Sequence, residues 1–573
     1  MEDRGCSRNG DRSPMMSPHS SWHLRRHKRA EGKRPTCRLP FARPLLGFDV
    51  VRRSDQQPHT VGETAPVRRR AGAAHIRGER HGIGRQTLHG IFWAYGSYVA
   101  GRILVLVSVA ILARLLTPSQ FGLVAFALTV TALLDTISDL GVSQALIVTK
   151  NDEELDSKVV TAWTISVLLG LGLTLVTAAL SPLAALFFHE PKLTPLLAVL
   201  GLNFVLRAPG VTHFALAQKM IDFRTRTAAE LADVLVRGLA GVGLAVGGAG
   251  AWSLVLGYLA GSAAMTATLW RLVPFRPRLN VRRAHLGSLV RFGGALSVLN
   301  VLGAIIANVD YVFVGRVLGA ADLGLYTLGF RLPELLIMNL SVVAGLVLFP
   351  AFAGLRPEQM TNAFLTSLRY TLMVTIPLTA ALIVLATPLT LALFGEHWRS
   401  SIPAMRVLAL FACASTVGIP AGTAYKSMGR LNVLIRLAVP RVGLAVAAIW
   451  LFVDDGIVAV AACQAAVAGL FAVIGIALAM RLLAASPKRV LQAVWPPVTA
   501  GLLMAGVLTV PATTIDNPSL ALLVAAPLGV FVYVAMLWIL AADSLRALWA
   551  TAFPHRAPAT TPEASAVAFD QPS

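Results

Sequence analysis

Six arginines (Arg102, Arg207, Arg237, Arg331, Arg406 and Arg441) and six carboxylates (Asp135, Asp139, Glu230, Asp233, Asp310 and Glu334) lie inside otherwise apolar runs of the sequence. A charge in hydrocarbon is expensive, so each such residue requires a partner or a water-filled cavity. Arginine on several separate runs suits a cavity that receives a phosphate-bearing ligand, because a guanidinium binds phosphate through two parallel hydrogen bonds. Arg102, in the middle of its run, is the first candidate to line such a cavity, followed by Arg207 and Arg331. Each of the others has a plainer reading beside the functional one. Asp233 and Arg237 are spaced i, i+4 and read equally as an ion pair within one helix. Glu230 reads as hydrated near a segment end, Asp139 as a cap or turn residue, and Arg406 as an outer-surface group. Arg331 precedes Leu332-Pro333, where a kink would free carbonyls for a guanidinium to satisfy.

The elements that must hold these residues are membrane helices. Of 573 residues, 55% are hydrophobic and 14% charged, with a mean hydropathy of +0.67. One large soluble domain is excluded by that balance. Fourteen apolar segments of about 20 residues each, from 91–113 to 518–542, match the length that crosses roughly 30 Å of hydrocarbon. The sequence therefore predicts an all-α polytopic membrane protein. No loop between segments has room for a folded catalytic domain, and no GxSxG, HExxH or Walker pattern occurs.

The charge is unevenly placed. Residues 1–85 hold 19 Lys and Arg against 8 Asp and Glu, without apolar periodicity, and are expected to be a disordered basic tail. The expected role of this tail is a topology determinant, or sequence upstream of the natural start, with no nucleic-acid partner. From residue 67 onward, alternate connections carry 27 Lys and Arg, whereas the intervening ones carry four: Arg114, Lys192, Arg316 and Arg399. The positive-inside rule then predicts both termini in the cytoplasm of a multi-pass protein of the cell inner membrane. Cys6, Cys37, Cys413 and Cys463 form no CxxC pair, and His19, His23 and His27 lie in the basic tail, so no metal or other cofactor is expected.

The chain repeats itself. Arg114-Leu115-Leu116-Thr117-Pro118-Ser119-Gln120-Phe121-Gly122-Leu123 recurs 202 residues on as Arg316-Val317-Leu318-Gly319-Ala320-Ala321-Asp322-Leu323-Gly324-Leu325. Pro182-Leu183, Phe188 and Glu190 recur at an offset of 206 as Pro388-Leu389, Phe394 and Glu396. Pro195, Gly210 and Met220 recur at 208 as Pro403, Gly418 and Met428. Three ordered matches predict duplication of a six-segment unit, giving parallel lobes at 86–285 and 286–485, two further helices in 486–545 and a tail from 546 to 573. Lobes so related can rock about a midplane site.

With these residues in view, the chain resembles the bacterial polysaccharide transporter family. The resemblance rests on Arg114 to Val124, Asp139-Leu140-Gly141-Val142-Ser143-Gln144, Phe187-Phe188-His189-Glu190-Pro191 and Ala251-Trp252-Ser253. It continues through Asn308-Val309-Asp310-Tyr311, Gly315-Arg316 and Phe394-Gly395-Glu396-x-Trp398, covering about residues 90–435 in order. That family holds O-antigen and exopolysaccharide flippases and lipopolysaccharide biosynthesis proteins, within the multidrug/oligosaccharidyl-lipid/polysaccharide flippase superfamily. The resemblance implies two six-helix lobes plus two helices, and export of a polyprenyl-diphosphate-linked oligosaccharide by alternating access rather than enzymatic catalysis. It implies that cavity arginines hold the diphosphate and that carboxylates, chiefly Asp135 and Asp310, couple the cycle to a cation. Membrane lipid, a polysaccharide polymerase and glycosyltransferases are the partners it suggests. The competing readings are a drug/cation antiporter of the same superfamily, whose cavity should be acidic and aromatic, a membrane polymerase or glycosyltransferase, and a non-transporting scaffold.

Overall fold

The computed structural model describes residues 100–138, 152–277 except 221, 303–339 and 351–552, with isolated positions between them. The basic tail, Asp139 and most of the 546–573 segment lie outside the described residues. All described residues belong to one unit, 63–573.

In chain order the helices of the first half are α1 (100–115), α2 (Pro118–Ser138), α3 (Asp152–Phe188), α4 (Leu193–Leu200), α5 (Leu202–Lys219), α6 (Phe223–Val246) and α7 (Ala251–Leu272). The second half has α8 (303–313, ending in a π turn at Val314–Leu318) and α9 (Ala320–Pro333, ending in a π turn at Glu334–Met338). It continues with α10 (Pro357–Val384), α11 (Ala386–Leu393), α12 (Ile402–Val417), α13 (Ile419–Ser427), α14 (Leu431–Phe452) and α15 (Ile457–Leu482). Two last helices follow, α16 (Pro487–Thr514) and α17 (Pro518–Ala552). Among the described residues ten stretches are long and apolar enough to cross a membrane. Helix α6 is not one of them, because Arg224, Arg226, Glu230, Asp233 and Arg237 all lie on it.

Helix starts reproduce the offsets of the sequence repeat. Pro118 of α2 and Ala320 of α9 are 202 apart, Phe223 and Leu431 are 208 apart, and Ala251 and Ile457 are 206 apart. The start of α2 is set locally by a reciprocal cap: Thr117 N donates to Gln120 Oε1 at 3.0 Å, and Gln120 N donates to Thr117 Oγ1 at 3.4 Å. Helices α7 and α15 begin after Gly250 (φ 56) and Gly456 (φ 93), where a left-handed residue lets the chain reverse direction.

The halves meet through α2 and α9 at the end of the bundle that carries the Arg114 and Arg316 turns. Gly122 lies against the Ala320 carbonyl and Gly324 against the Pro118 carbonyl, so a Cβ at either would collide with backbone. One apolar cluster joins Phe126, Phe188 and Leu197 of the first half to Val314, Leu323 and Tyr326 of the second. Another joins Leu112 and Phe121 to Leu328, Trp398 and Met405. Trp398, fully buried, donates from Nε1 to the Ala113 carbonyl at 2.8 Å and meets Phe121 edge-on at 5.1 Å. This end is a dry, shared core.

Candidate functional site

Beneath that closed end lies a cavity of about 280 Å³ between the halves. Its walls are Val105, Ser108, Val109 and Leu112 of α1, the Phe121 to Leu128 face of α2, residues of α6 and α7, and Thr327, Leu328 and Arg331 of α9. Two guanidinium groups face it, Arg237 from the first half and Arg331 from the second.

Arg237 is oriented from several sides. Its Nη2 donates to both oxygens of Asp233 at 2.7 Å, and its guanidinium lies 4.1 Å from the centre of the Tyr258 ring. Gly257 and Gly261 let α7 settle directly on this turn of α6, since a Cβ at Gly257 would press on the Arg237 carbonyl and one at Gly261 on the Arg237 side chain. The GxxxG spacing therefore serves close helix packing that places a charged group. Arg331 donates from Nη1 to Glu334 Oε2 at 2.9 Å, at the step where Pro333 ends the regular helix and a π turn follows. The Nε of each arginine is buried with no hydrogen-bond partner in the structure. Those Nε atoms are enclosed by protein, while 38% of the Arg237 side chain and 32% of the Arg331 side chain stay accessible, so an acceptor entering the cavity would meet the outer guanidinium nitrogens.

The other residues singled out from sequence are dispersed. Arg207 and Asp135 come from neighbouring helices, 3.7 Å apart, and line a second cavity of about 320 Å³ with Ser166, Phe204, Gln218 and Thr266, wholly within the first half. Asp310 is 5% exposed and packed inside the second half, where Tyr326 donates its hydroxyl to Oδ2 at 2.7 Å. Its Oδ1 and the Nε2 of Gln464 are buried without partners. Arg102 lies on α1 at i−3 and i−7 from Val105 and Val109, the same helical stripe as the interlobe wall, one turn short of the cavity. Among the other intramembrane charges, Glu230 pairs with Arg226 at 2.8 Å, and Arg406 donates to Thr387 Oγ1 at 3.2 Å.

The i, i+4 spacing to Asp233 accounts for Arg237 as an ion pair within one helix, so its sequence context alone does not set it beside Arg102, Arg207 and Arg331. The pair exists, yet the same guanidinium also faces the cavity. No pattern along one helix signals that second role, because the cavity wall is assembled from α1, α2, α7 and α9 as well as α6.

The description "Polysaccharide biosynthesis protein" matches residues 111–403. Lipopolysaccharide biosynthesis protein WzxC of Escherichia coli (strain K12) is 30% identical over 372 residues, covering 64% of this chain and 74% of WzxC. The chain belongs to the polysaccharide biosynthesis protein family. A second relative of this family member, the succinoglycan biosynthesis transport protein ExoT of Rhizobium meliloti (strain 1021), is 30% identical over 312 residues, 53% of this chain and 62% of ExoT. Among solved structures, "Lipid II flippase MurJ, inward closed conformation" superposes with a TM-score of 0.66 at 17% identity, covering 79% of this chain and all of that one. An inward-facing multidrug resistance MATE family transporter gives 0.55 at 17% identity, over 67% of this chain and 95% of its own. At such identities these two establish a common helical transporter fold.

Proposed function

We propose that this family member moves a polyprenyl-diphosphate-linked oligosaccharide across the cytoplasmic membrane by alternating access. The observation that carries the reading is the pair Arg237 and Arg331, contributed by different halves to one cavity. A diphosphate bridging the two guanidinium groups would accept from their outer nitrogens, and separating the halves would relax the clamp, which ties binding to the conformational cycle. Membership of a family with WzxC and ExoT supports the substrate class. The arginine-lined cavity, as opposed to an acidic one, favours this reading over a drug/cation antiporter. The protein acts as a transporter and not as an enzyme.

In this reading the positive-inside bias puts both termini in the cytoplasm of the inner membrane, so the Arg114/Arg316 end faces outward and is shut. Residues 86–285 and 286–485 act as the rocking lobes. Arg102 extends the cavity wall toward the cytoplasmic side, where the substrate enters, and Arg207 with Asp135 forms a separate site inside the first lobe. Asp310 serves as the coupling carboxylate, buried in the second lobe and held by the Tyr326 hydroxyl. A polysaccharide polymerase and glycosyltransferases supply and consume the lipid-linked glycan.

The test is polysaccharide export in a strain lacking the native gene, complemented by Arg331→Ala or Arg237→Ala protein at matched membrane levels. Export should fall to the background of the deletion strain, with intact lipid-linked oligosaccharide accumulating on the inner leaflet. Undiminished export from both variants refutes the clamp.

A further inference from the structure

The two arginines of the repeated turn both reach across the boundary between the halves. Arg114, in the first half, donates from Nε to the Leu393 carbonyl at 3.1 Å and from Nη2 to the Ala392 carbonyl, at the C-terminus of α11 in the second half. Arg316, its repeat partner, sits in the second half with Nη1 2.6 Å from His189 Nδ1, just past the end of α3 in the first half. The Arg316 guanidinium also lies 5.4 Å from the centre of the Phe187 ring, and Phe187 is the repeat counterpart of Leu393 at the offset of 206. Two equivalent latches thus flank the crossing of α2 and α9. The two end differently: one on helix-terminal carbonyls, the other on a histidine.

That histidine occupies an unusual backbone position. His189 has φ 56, and its repeat counterpart is Gly395 at φ 96. A turn that calls for glycine in one half is held by a side-chain-bearing residue in the other, against the ordinary preference of L residues. A guanidinium has donors only, so Nδ1 of His189 must be the acceptor and must carry no proton while the contact stands. The ionisable groups nearby on the adjoining elements are Glu190 and Lys192 beside His189, Asp322 in the first turn of α9, and Asp454 and Asp455 in the short turn that packs against the Arg316 π turn.

We propose that Arg114 and Arg316 are duplicated gate-positioning residues that hold this end of the transporter shut, and that protonation of His189 releases the Arg316 latch. A proton on Nδ1 replaces an acceptor by a second donor and sets two cations against each other. Acid on this face therefore favours opening. The proposal rests on the alternating-access reading, but its readout needs no substrate, so failure of the arginine clamp and failure of the latch are separable.

The experiment is a distance measurement on the full chain in lipid nanodiscs. Spin labels are placed at Val246 and Trp450, exposed positions near this end on the two halves, after replacement of Cys6, Cys37, Cys413 and Cys463. Lowering the pH from about 8 to about 5 should raise the long-distance to short-distance ratio roughly tenfold, the scale of one lost hydrogen bond to a charged group. His189→Asn keeps an acceptor oxygen and tolerates positive φ, and should stay shut at both pH values. Arg114→Gln should open more at both pH values yet keep the acid response. Arg316→Gln should lose the acid response. An acid response in His189→Asn equal to that of the unaltered chain, or none in the unaltered chain, overturns the proton latch. An unchanged distance distribution in the double variant Arg114→Gln/Arg316→Gln overturns the gate.

Discussion

Arg237 offers the sharpest separation between a structural and a substrate-binding role. The plain reading holds that it exists to neutralise Asp233, which is only 19% exposed and would otherwise stand as a lone carboxylate between α6 and α7. The clamp reading holds that Asp233 and Tyr258 aim the guanidinium into the interlobe cavity. The two readings diverge for Asp233→Asn. That change removes the charge pair but leaves the guanidinium over Tyr258, whereas Arg237→Gln removes the fork itself. Hydrogen bonds to charged groups contribute about 1.5–3 kcal/mol, so loss of a bidentate phosphate contact should weaken binding by roughly tenfold to a hundredfold. Asp233→Asn should change it by less than about threefold, the scale of an aiming contact in a partly hydrated site. The assay is binding of a polyprenyl diphosphate to the full chain in nanodiscs, read by native mass spectrometry. If Arg237→Gln binds as tightly as the unaltered chain, or Asp233→Asn loses as much as Arg237→Gln, the cavity-facing role is refuted.

Gly324→Val places a branched side chain on the Pro118 carbonyl, and overpacking of about 1–3 kcal/mol should prop the α2–α9 crossing open, visible as a longer distance between the Val246 and Trp450 labels. Trp398→Phe keeps an aromatic ring against Phe121 but strips the Ala113 carbonyl of its donor, and should lower unfolding stability by about 1–3 kcal/mol in a detergent denaturation series. Asp310→Asn preserves size and a hydrogen-bonding oxygen for Tyr326, so substrate binding should persist while transport driven by a cation gradient is lost; retained gradient-driven transport would remove Asp310 from the coupling role.

The closed end and the cavity beneath it share their helices, which gives the molecule a physical means of linking gate to site. Helices α1 and α2 carry Arg114 and Gly122 at the crossing, then Leu112, Phe121 and Leu128 along the cavity wall. Helix α9 likewise runs from Gly324 at the crossing to Arg331 in the cavity, about two turns away. A tilt of α9 against α2 would move the Arg331 guanidinium relative to Arg237. In the proposed cycle, closing one end and clamping an anion would be motions of the same rigid elements.

Much of this was legible in the residues alone. Apolar length demands membrane helices, because backbone polar groups in hydrocarbon must be satisfied within the segment that carries them. The offsets of the repeated Arg-to-Leu turns recur in the helix starts, and the Thr117-Pro118-Ser119-Gln120 signature marks where α2 begins, since a reciprocal cap is a contact between near neighbours in sequence. The site was legible only as a list of charges. Asp135, Arg207, Arg237, Arg331 and Asp310 look alike as ions in apolar helices, yet the fold distributes them among two cavities and a buried pocket. What a guanidinium faces depends on helices distant in sequence, and on glycines that let two backbones touch. Local chemistry thus determined the elements and the spacing at which they recur, while tertiary packing alone decided that Arg237 and Arg331 line one cavity and that Arg316 finds His189.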